Sequence, residues 1–162
     1  MPIVLFRVDE RLIHGQVVVG WGNVLHPDRI IVVDEELVRS PWEQELYGLG
    51  LPPGLAVEFE GVAVARRQLA EWRQGQARVL VLTRDLRTMR ELAEGGLMRG
   101  EEVNIGGLHY APGREQVLPY VYLNADARSE IDRLTSAGVR VSARDLPGSR
   151  RIEAAELLRQ GR

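Results

Sequence analysis

Two residue types with strong chemistry, cysteine and lysine, are absent from the 162-residue sequence. Without cysteine the chain has no disulfide, no thiolate nucleophile and no cysteine-ligated zinc. All 21 basic residues are arginines, which excludes a GxxxxGK[ST] phosphate loop and any Schiff base formed on a lysine. The first predicted strand-to-helix turn also lacks GxGxxG, which argues against a nucleotide-binding Rossmann domain.

Long apolar runs and a strong charge imbalance are missing as well. No run approaches the roughly 20 apolar residues that a membrane-spanning helix requires. The net charge is −2, so no broad surface for nucleic acid or membrane is indicated. The N-terminal segment MPIVLFRVDE lacks the basic region and cleavage site of a signal peptide and predicts a first strand. We therefore expect one cytoplasmic domain over residues 1–162.

Short apolar runs alternate with stretches of helical periodicity along the chain. The runs that predict strands are 3–8, 29–33, 55–59, 78–82, 102–105, 117–123 and 139–143. Apolar residues at helical spacing lie within 17–25, 62–72, 86–93, 131–134 and 152–158. Repeated strand–helix units predict an α/β fold, a three-layer α/β/α sandwich with a mainly parallel central sheet. Pro119 inside the sixth run predicts an edge strand or a bulge.

The stretch RVDERLIHGQ, residues 7–16, lies where the first strand is expected to end and the first helix to begin. Ligands of such sheets bind at the carboxyl ends of the strands, where free N–H groups of helices favour anions. Gly15 allows close approach to the backbone, and the Arg11 guanidinium suits phosphate oxygens. Asp9 can hold one ring nitrogen of His14 and leave the other as a nucleophile. The stretch predicts a phosphoryl-accepting histidine; a histidine that caps the helix or packs under a loop is the alternative.

The same stretch, followed by Trp21, closely resembles the N-terminus of the IIB subunits of the mannose/fructose/sorbose family of the bacterial sugar phosphotransferase system. The resemblance continues through RIIVVDE, PPG, RVLVLT, LAEGGL and VNIGGL and fades after about Asn124. It implies a three-layer α/β/α domain with the His14 loop at the switch point of strand order. Most other IIB families use a cysteine, which this chain lacks.

The resemblance also implies a function. His14 would take phosphate from a phosphohistidine on a IIA partner, itself charged by HPr, and pass it to a sugar entering through the membrane components IIC and IID. The chain would then lie at the inner membrane only through IIC and IID. Neither a cofactor nor a metal is expected, because the phosphoryl group arrives already activated, and nucleic acid is not an expected partner. A homodimer stays open. A regulatory module that keeps the histidine without serving a transporter is the alternative function.

The expected site has a catalytic and a phosphate-binding part. The catalytic residues are His14, Arg11 and Asp9, and the phosphate-binding residues are Gly15, Gln16, Thr83 and Arg84. The loop 83–85 departs from the family, which usually has Phe-Thr-Asn-Pro there, so a helix start capped by Asp85 is the alternative. His109 is a second candidate for the site, and His26 is expected in a turn. As in the family, phosphate is expected on Nδ1 of His14, with Nε2 facing solvent or a substrate.

Overall fold

A mostly parallel sheet forms the middle of the protein in a computed structural model that describes residues 2–159. Over those residues the strands β1 to β9 span Ile3–Asp9, Arg29–Val33, Ala56–Glu60, Val79–Thr83, Glu102–Gly107, Glu115–Leu118, Val121–Leu123, Arg140–Ala143 and Ile152–Glu153. The helices α1 to α6 span Gly22–Leu25, Pro41–Gly48, Val62–Gln74, Leu86–Ala93, Ala125–Ser136 and Ala154–Arg159. A π-helical turn, Gln16–Trp21, leads into α1, and short 3-10 turns lie at Leu37–Arg39 and Glu94–Gly96. Each of these helices is too short or too polar to span a bilayer.

The strand order places the first strand in the centre of the sheet. The order is β3-β2-β4-β1-β5-β8-β9, and within residues 2–159 all neighbours in this sheet are parallel except β8 and β9. From β1 the chain crosses towards β2 on one side, whereas from β4 it crosses towards β5 on the other. The carboxyl ends of β1 and β4 therefore form a topological switch point, where α/β sheets bind ligands. This confirms the parallel sheet and the position of the loop after β1.

Apolar side chains alternate between the two faces of the sheet. Ile31, Val33, Val79 and Val81 pack with residues of α3 to α6 on one face. Their neighbours along the same strands are buried with Leu12, Val17 and Leu37 on the opposite face; they are Ile30, Val32, Leu80 and Leu82. Because both faces are covered, the strands read as continuous apolar runs. The predicted three-layer α/β/α sandwich is confirmed.

Two predicted elements are wrong in detail. The run 117–123 is a hairpin in which β6 pairs antiparallel with β7 across a turn at Pro119–Tyr120. Proline cannot donate a backbone hydrogen bond, so the strand stops at Pro119, and the pairing shifts register between Gln116 and Leu118 just before it, where a bulge was the alternative. Ile152, predicted on a helical face, pairs with Ala143 in the strand β9, and α6 begins at Ala154. A helix and a strand can each bury the apolar side chain of Ile152, so the apolar pattern could not distinguish the two.

Arg7 is one of two charged residues that are buried on the central strand, the other being Asp9 at its end. Arg7 on β1 is fully buried and lies beside Asn104 of β5 in the parallel register. The space for its guanidinium is created by Gly106, where an added Cβ would lie 1.9 Å from Arg7 Cζ. The first glycine of the VNIGGL segment is therefore required by the size of a neighbouring arginine and not by a turn.

Gly106→Ala should lower the free energy of unfolding by about 1–3 kcal/mol, the usual cost of inserting a methyl group into a filled interior. Urea denaturation followed by circular dichroism measures this. Gly48→Ala is the matched control, because a Cβ at that position meets nothing within 4 Å. The control should keep or slightly raise stability through the lower entropy of its unfolded chain. Equal stability of the two variants would show that Arg7 moves aside at no cost.

Candidate active site

The last residue of β1, Asp9, anchors the site. Its side chain is fully buried, and it lies opposite Gly107 of β5. A Cβ on Gly107 would come within 3.1 Å of Asp9 Oδ1, so the second glycine of the VNIGGL segment leaves room for the carboxylate. Oδ1 accepts the backbone N–H of Arg11 at 3.0 Å, which begins the turn after the strand.

A left-handed residue turns the loop back towards Asp9. Leu12 has φ of 57°, a conformation that costs a residue with a side chain about 1–2 kcal/mol. Its side chain is fully buried with the sheet face that Val17 covers, and its N–H donates to the Asp9 carbonyl at 2.9 Å. Burial of an apolar side chain offsets a cost of this size. The turn therefore brings His14 next to Asp9.

The two ring nitrogens of His14 have different partners. Nε2 lies 2.9 Å from Asp9 Oδ2, and Nδ1 faces the backbone N–H of Gln16 at 3.3 Å. A carboxylate only accepts hydrogen bonds and an amide N–H only donates one, so Nε2 carries the proton and Nδ1 presents its lone pair. The expectation that Nε2 faces solvent is wrong, because the buried carboxylate binds that N–H. The ring instead folds back over the first-turn amide of Gln16.

The carboxylate of Asp9 is ionised despite its burial. Burial by itself raises the pKa of Asp9, but the hydrogen bond with His14 and the charge of Arg7 lower it. Together the lowering effects outweigh the effect of burial, so the pKa of Asp9 lies below its ordinary value. Arg7 donates to the same oxygen, Oδ2, at 3.0 Å. The site thus holds a fixed negative charge directly behind the imidazole.

Arg11 places a positive charge beside the Asp9 carboxylate and the Gln16 side chain. Its Nε lies 3.5 Å from Asp9 Oδ1, and its terminal nitrogen donates to Gln16 Oε1 at 2.6 Å. The side chain is 41% exposed, so the guanidinium is open to a ligand from outside. The backbone N–H of Gln16 donates to the His14 ring, and its side-chain oxygen accepts from Arg11. Gly15 lies between these groups with open space where a side chain would be.

The loop after β4 makes contacts of its own. The Thr83 hydroxyl donates to the Asp85 carbonyl at 2.8 Å, and Arg84 donates to Asp34 Oδ2 at 2.6 Å. Asp85 caps α4 by accepting the N–H of Thr88 at 2.8 Å, as the alternative interpretation of this loop held. Thr83 lies beside Val8 at the carboxyl edge of the sheet. Phosphate binding by Thr83 and Arg84 stays a prediction.

The other two histidines lie in loops of their own, and a role of His109 in the site stays a prediction. His109 donates its backbone N–H to Glu10 Oε1 at 2.7 Å, in a loop that Arg114 also ties to Glu10 at 2.6 Å. His26 ends α1 in the left-handed conformation, which confirms the turn. Between residues 2 and 159 no three histidine, aspartate or glutamate side chains are placed to hold a metal ion.

Sequence reasoning missed the residues behind Asp9. Arg7 bonds Asp9 and Asn104 from inside the sheet, and the Trp21 ring lies 5.5 Å from its guanidinium. The signals that could have found them are a charge inside a predicted buried strand and paired glycines at the end of another. Both patterns indicate that something other than an apolar core fills that part of the sheet.

Comparison with known proteins identifies relatives of this chain. The sequence profile of the family described as "PTS system sorbose subfamily IIB component" matches residues 3–162. The sorbose-specific EIIB component of Lacticaseibacillus casei is 33% identical over 144 residues, which cover 89% of this chain and 87% of that protein. The mannose-specific EIIAB component of Escherichia coli K12 is 28% identical over 158 residues, 98% of this chain but 49% of the relative.

The fold is also that of a solved relative. The crystal structure of the IIBSor domain of the sorbose permease from Klebsiella pneumoniae superposes with a TM-score of 0.86 at 25% identity, covering 97% of this chain and 96% of that domain. Sequence and fold agree over nearly the full length. The chain belongs to the sorbose subfamily of the IIB components of the sugar phosphotransferase system.

Proposed function

We propose that His14 of this IIB component accepts a phosphoryl group on Nδ1 from a phosphohistidine of a IIA protein and passes it to a sugar. IIB components are phosphotransferases that work with IIA and with the membrane components IIC and IID. The observation that carries the proposal is the pairing of the ring: Nε2 is bound to the buried Asp9 carboxylate, while Nδ1 faces an amide N–H. At rest the Nδ1 lone pair accepts this N–H, and the N–H passes to a phosphoryl oxygen when the lone pair attacks phosphorus.

The transfer needs only one bond exchange. The Nδ1 lone pair attacks phosphorus in line, the N–P bond of the donor breaks, and its electron pair returns to the donor's ring nitrogen. The His14 ring becomes positively charged as the new bond forms, because Nε2 keeps its proton. Asp9 stabilises that charge through the 2.9 Å contact, as the carboxylate of a catalytic triad stabilises an imidazolium. In the second step a sugar hydroxyl attacks phosphorus, the N–P bond breaks with its electron pair returning to Nδ1, and the hydroxyl proton passes to solvent.

The His14 loop offers two donors to the phosphoryl oxygens. One is the Gln16 N–H, already 3.3 Å from the nitrogen, and the other is the exposed Arg11 guanidinium. Both are fixed before the phosphate arrives, because Arg11 is held by Asp9 and Gln16. Preorganised donors of this kind stabilise developing charge without reorganising during the reaction.

A IIA protein as the phosphate donor is supported by a relative. The mannose-specific component matches this chain over about half its length and, as its name EIIAB states, joins an A and a B part in one polypeptide. The exposure of Arg11 beside His14 suits a donor that is itself a protein. The relatives described above are named as components of sugar systems, and they give no support to the regulatory alternative.

His14→Ala should abolish acid-labile phosphorylation of the chain by a phosphorylated IIA protein, because it removes the ring nitrogen that is proposed to attack phosphorus. Phosphate incorporation, measured by intact-protein mass spectrometry at alkaline pH, is the readout. His26→Ala and His109→Ala are the matched controls and should retain labelling. Labelling of His14→Ala at the wild-type rate and stoichiometry would contradict the mechanism.

Arg11→Ala should slow phosphorylation of His14 by roughly 10²-fold, the scale seen when one charge-stabilising donor is removed. Rapid-quench measurement of phosphate transfer gives the rate, and circular dichroism checks the fold. Arg84→Ala is the comparison, since that arginine is bound to Asp34 in the neighbouring loop. A normal rate in Arg11→Ala with a slow Arg84→Ala would move the charge-stabilising role to Arg84.

A further inference from the structure

We propose that Arg7 is a positioning residue for phosphoryl transfer: from inside the sheet it fixes the carboxylate of Asp9, and through it the tautomer and orientation of the His14 ring. The inference rests on the proposed function, since it names what holds that site in place. Arg7 is fully buried and lies behind Asp9, so it acts through that carboxylate and not on the phosphate.

Four hydrogen bonds fix the Arg7 guanidinium. One terminal nitrogen donates to Asn104 Oδ1 at 2.6 Å and to the Arg144 carbonyl at 3.1 Å. The other donates to Asp9 Oδ2 at 3.0 Å and to the Asp145 carbonyl at 3.1 Å. These acceptors come from β1, from β5 and from the loop after β8, which are three separate parts of the chain.

The aromatic ring of Trp21 adds a further constraint. The Arg7 guanidinium lies 5.5 Å from the ring centre, within the range of a cation–π contact. The indole N–H donates to the same Asp145 carbonyl at 2.9 Å. Trp21 ends the π-helical turn that follows His14, so both ends of the site's loop are tied to Arg7: one through Asp9 and the other through Trp21.

Stability alone does not account for this arrangement. A buried arginine–carboxylate pair usually contributes no more to stability than apolar side chains of the same volume. Here the pair also requires Gly106 in place of a side chain. The pair instead fixes the orientation of the Asp9 carboxylate, because Oδ2 accepts hydrogen bonds from both Arg7 and His14 Nε2. With Oδ1 bound to the loop backbone, the carboxylate cannot rotate away from the imidazole.

Removal of Arg7 should therefore change the imidazole. The charged or titratable groups around the Asp9 carboxylate are Arg7 on β1 and Arg11 and His14 in the loop, while Asp145 acts on Arg7 from the loop after β8. Without Arg7, burial raises the pKa of Asp9 with less opposition, and the carboxylate loses the bond that aims Oδ2. The ring would then populate the Nδ1–H tautomer as well, which has no lone pair on the attacking nitrogen.

The test compares Arg7→Met with Arg144→Met in the full chain. Arg144 stacks on the same Trp21 ring at 5.3 Å, but its side chain has no contact with Asp9, so it controls for packing. Nitrogen-15 NMR of the imidazole, assigned by its loss in His14→Ala, reports the tautomer. Transfer from a phosphorylated IIA protein, measured at several IIA concentrations, separates kcat from KM, and repeating it over a pH range gives the pH dependence of each.

Wild type and Arg144→Met should show a single Nε2–H tautomer and similar kcat. Arg7→Met should show mixed tautomers and a kcat lower by roughly 10–100-fold, the loss typical when a partner that orients a functional histidine is removed. The loss should be greater in acidic than in alkaline buffer, with KM for the IIA protein unchanged. A folded Arg7→Met with the wild-type tautomer and kcat would overturn the proposal.

A second variant tests the proposal if Arg7→Met does not fold. Asn104→Ala removes the 2.6 Å bond that holds Arg7 from β5 and leaves Asp9 untouched. It should show the same changes to a smaller degree, and a wild-type tautomer and kcat in this variant would also overturn the proposal. If the wild type takes no phosphate on His14, the proposed function fails, but the NMR comparison of the variants still decides the role of Arg7.

Discussion

The carboxylate of Asp9 is a full negative charge with no exposed surface, and the neighbouring structure is built around it. Isolated in the interior, such a charge would be too costly and would take up a proton. Here each oxygen receives N–H donors: Arg7 and His14 on Oδ2, and the Arg11 backbone on Oδ1. The charge is thereby retained, and the three donors are held in place by it. The same carboxylate lets the imidazole accept positive charge during transfer.

The parallel sheet explains why these groups meet at one place. Since β1 pairs with both β4 and β5 in parallel, the ends of all three strands lie at the same edge. Asp9 ends β1, Thr83 ends β4, and Gly107 ends β5. The buried leucine at position 12 then fixes the loop in a left-handed turn, so burial of an apolar side chain supports the backbone conformation that presents His14. At this edge the contacts that pack the core therefore also fix the geometry of the site.

The sequence predicted the sheet and the His14 loop because both depend on local signals. Apolar runs indicate the strands, and the ten residues of RVDERLIHGQ are consecutive in the sequence, from the end of β1 to the start of the next helical turn. The direction of the His14 ring and the role of Arg7 could not be predicted in this way. Arg7 finds its partners at Asn104, Arg144 and Asp145, which lie 97 or more residues along the chain. Only the strand register brings them together, and a single sequence does not display register.

A second arginine–aspartate pair at the same edge shows what distinguishes the site. Asp34 follows β2 as Asp9 ends β1, and it is bound by Arg84. Its other oxygen accepts the N–H groups of Glu36 and Leu37 at 3.0 and 2.9 Å, so this carboxylate orders a turn. The partner of Asp34 is 38% exposed, whereas the partner of Asp9 is fully buried. Similar residues at similar strand ends thus serve different purposes. The difference is that Asp9 has a buried cation behind it and an imidazole in front, which turns a capping carboxylate into one that can direct a nucleophile.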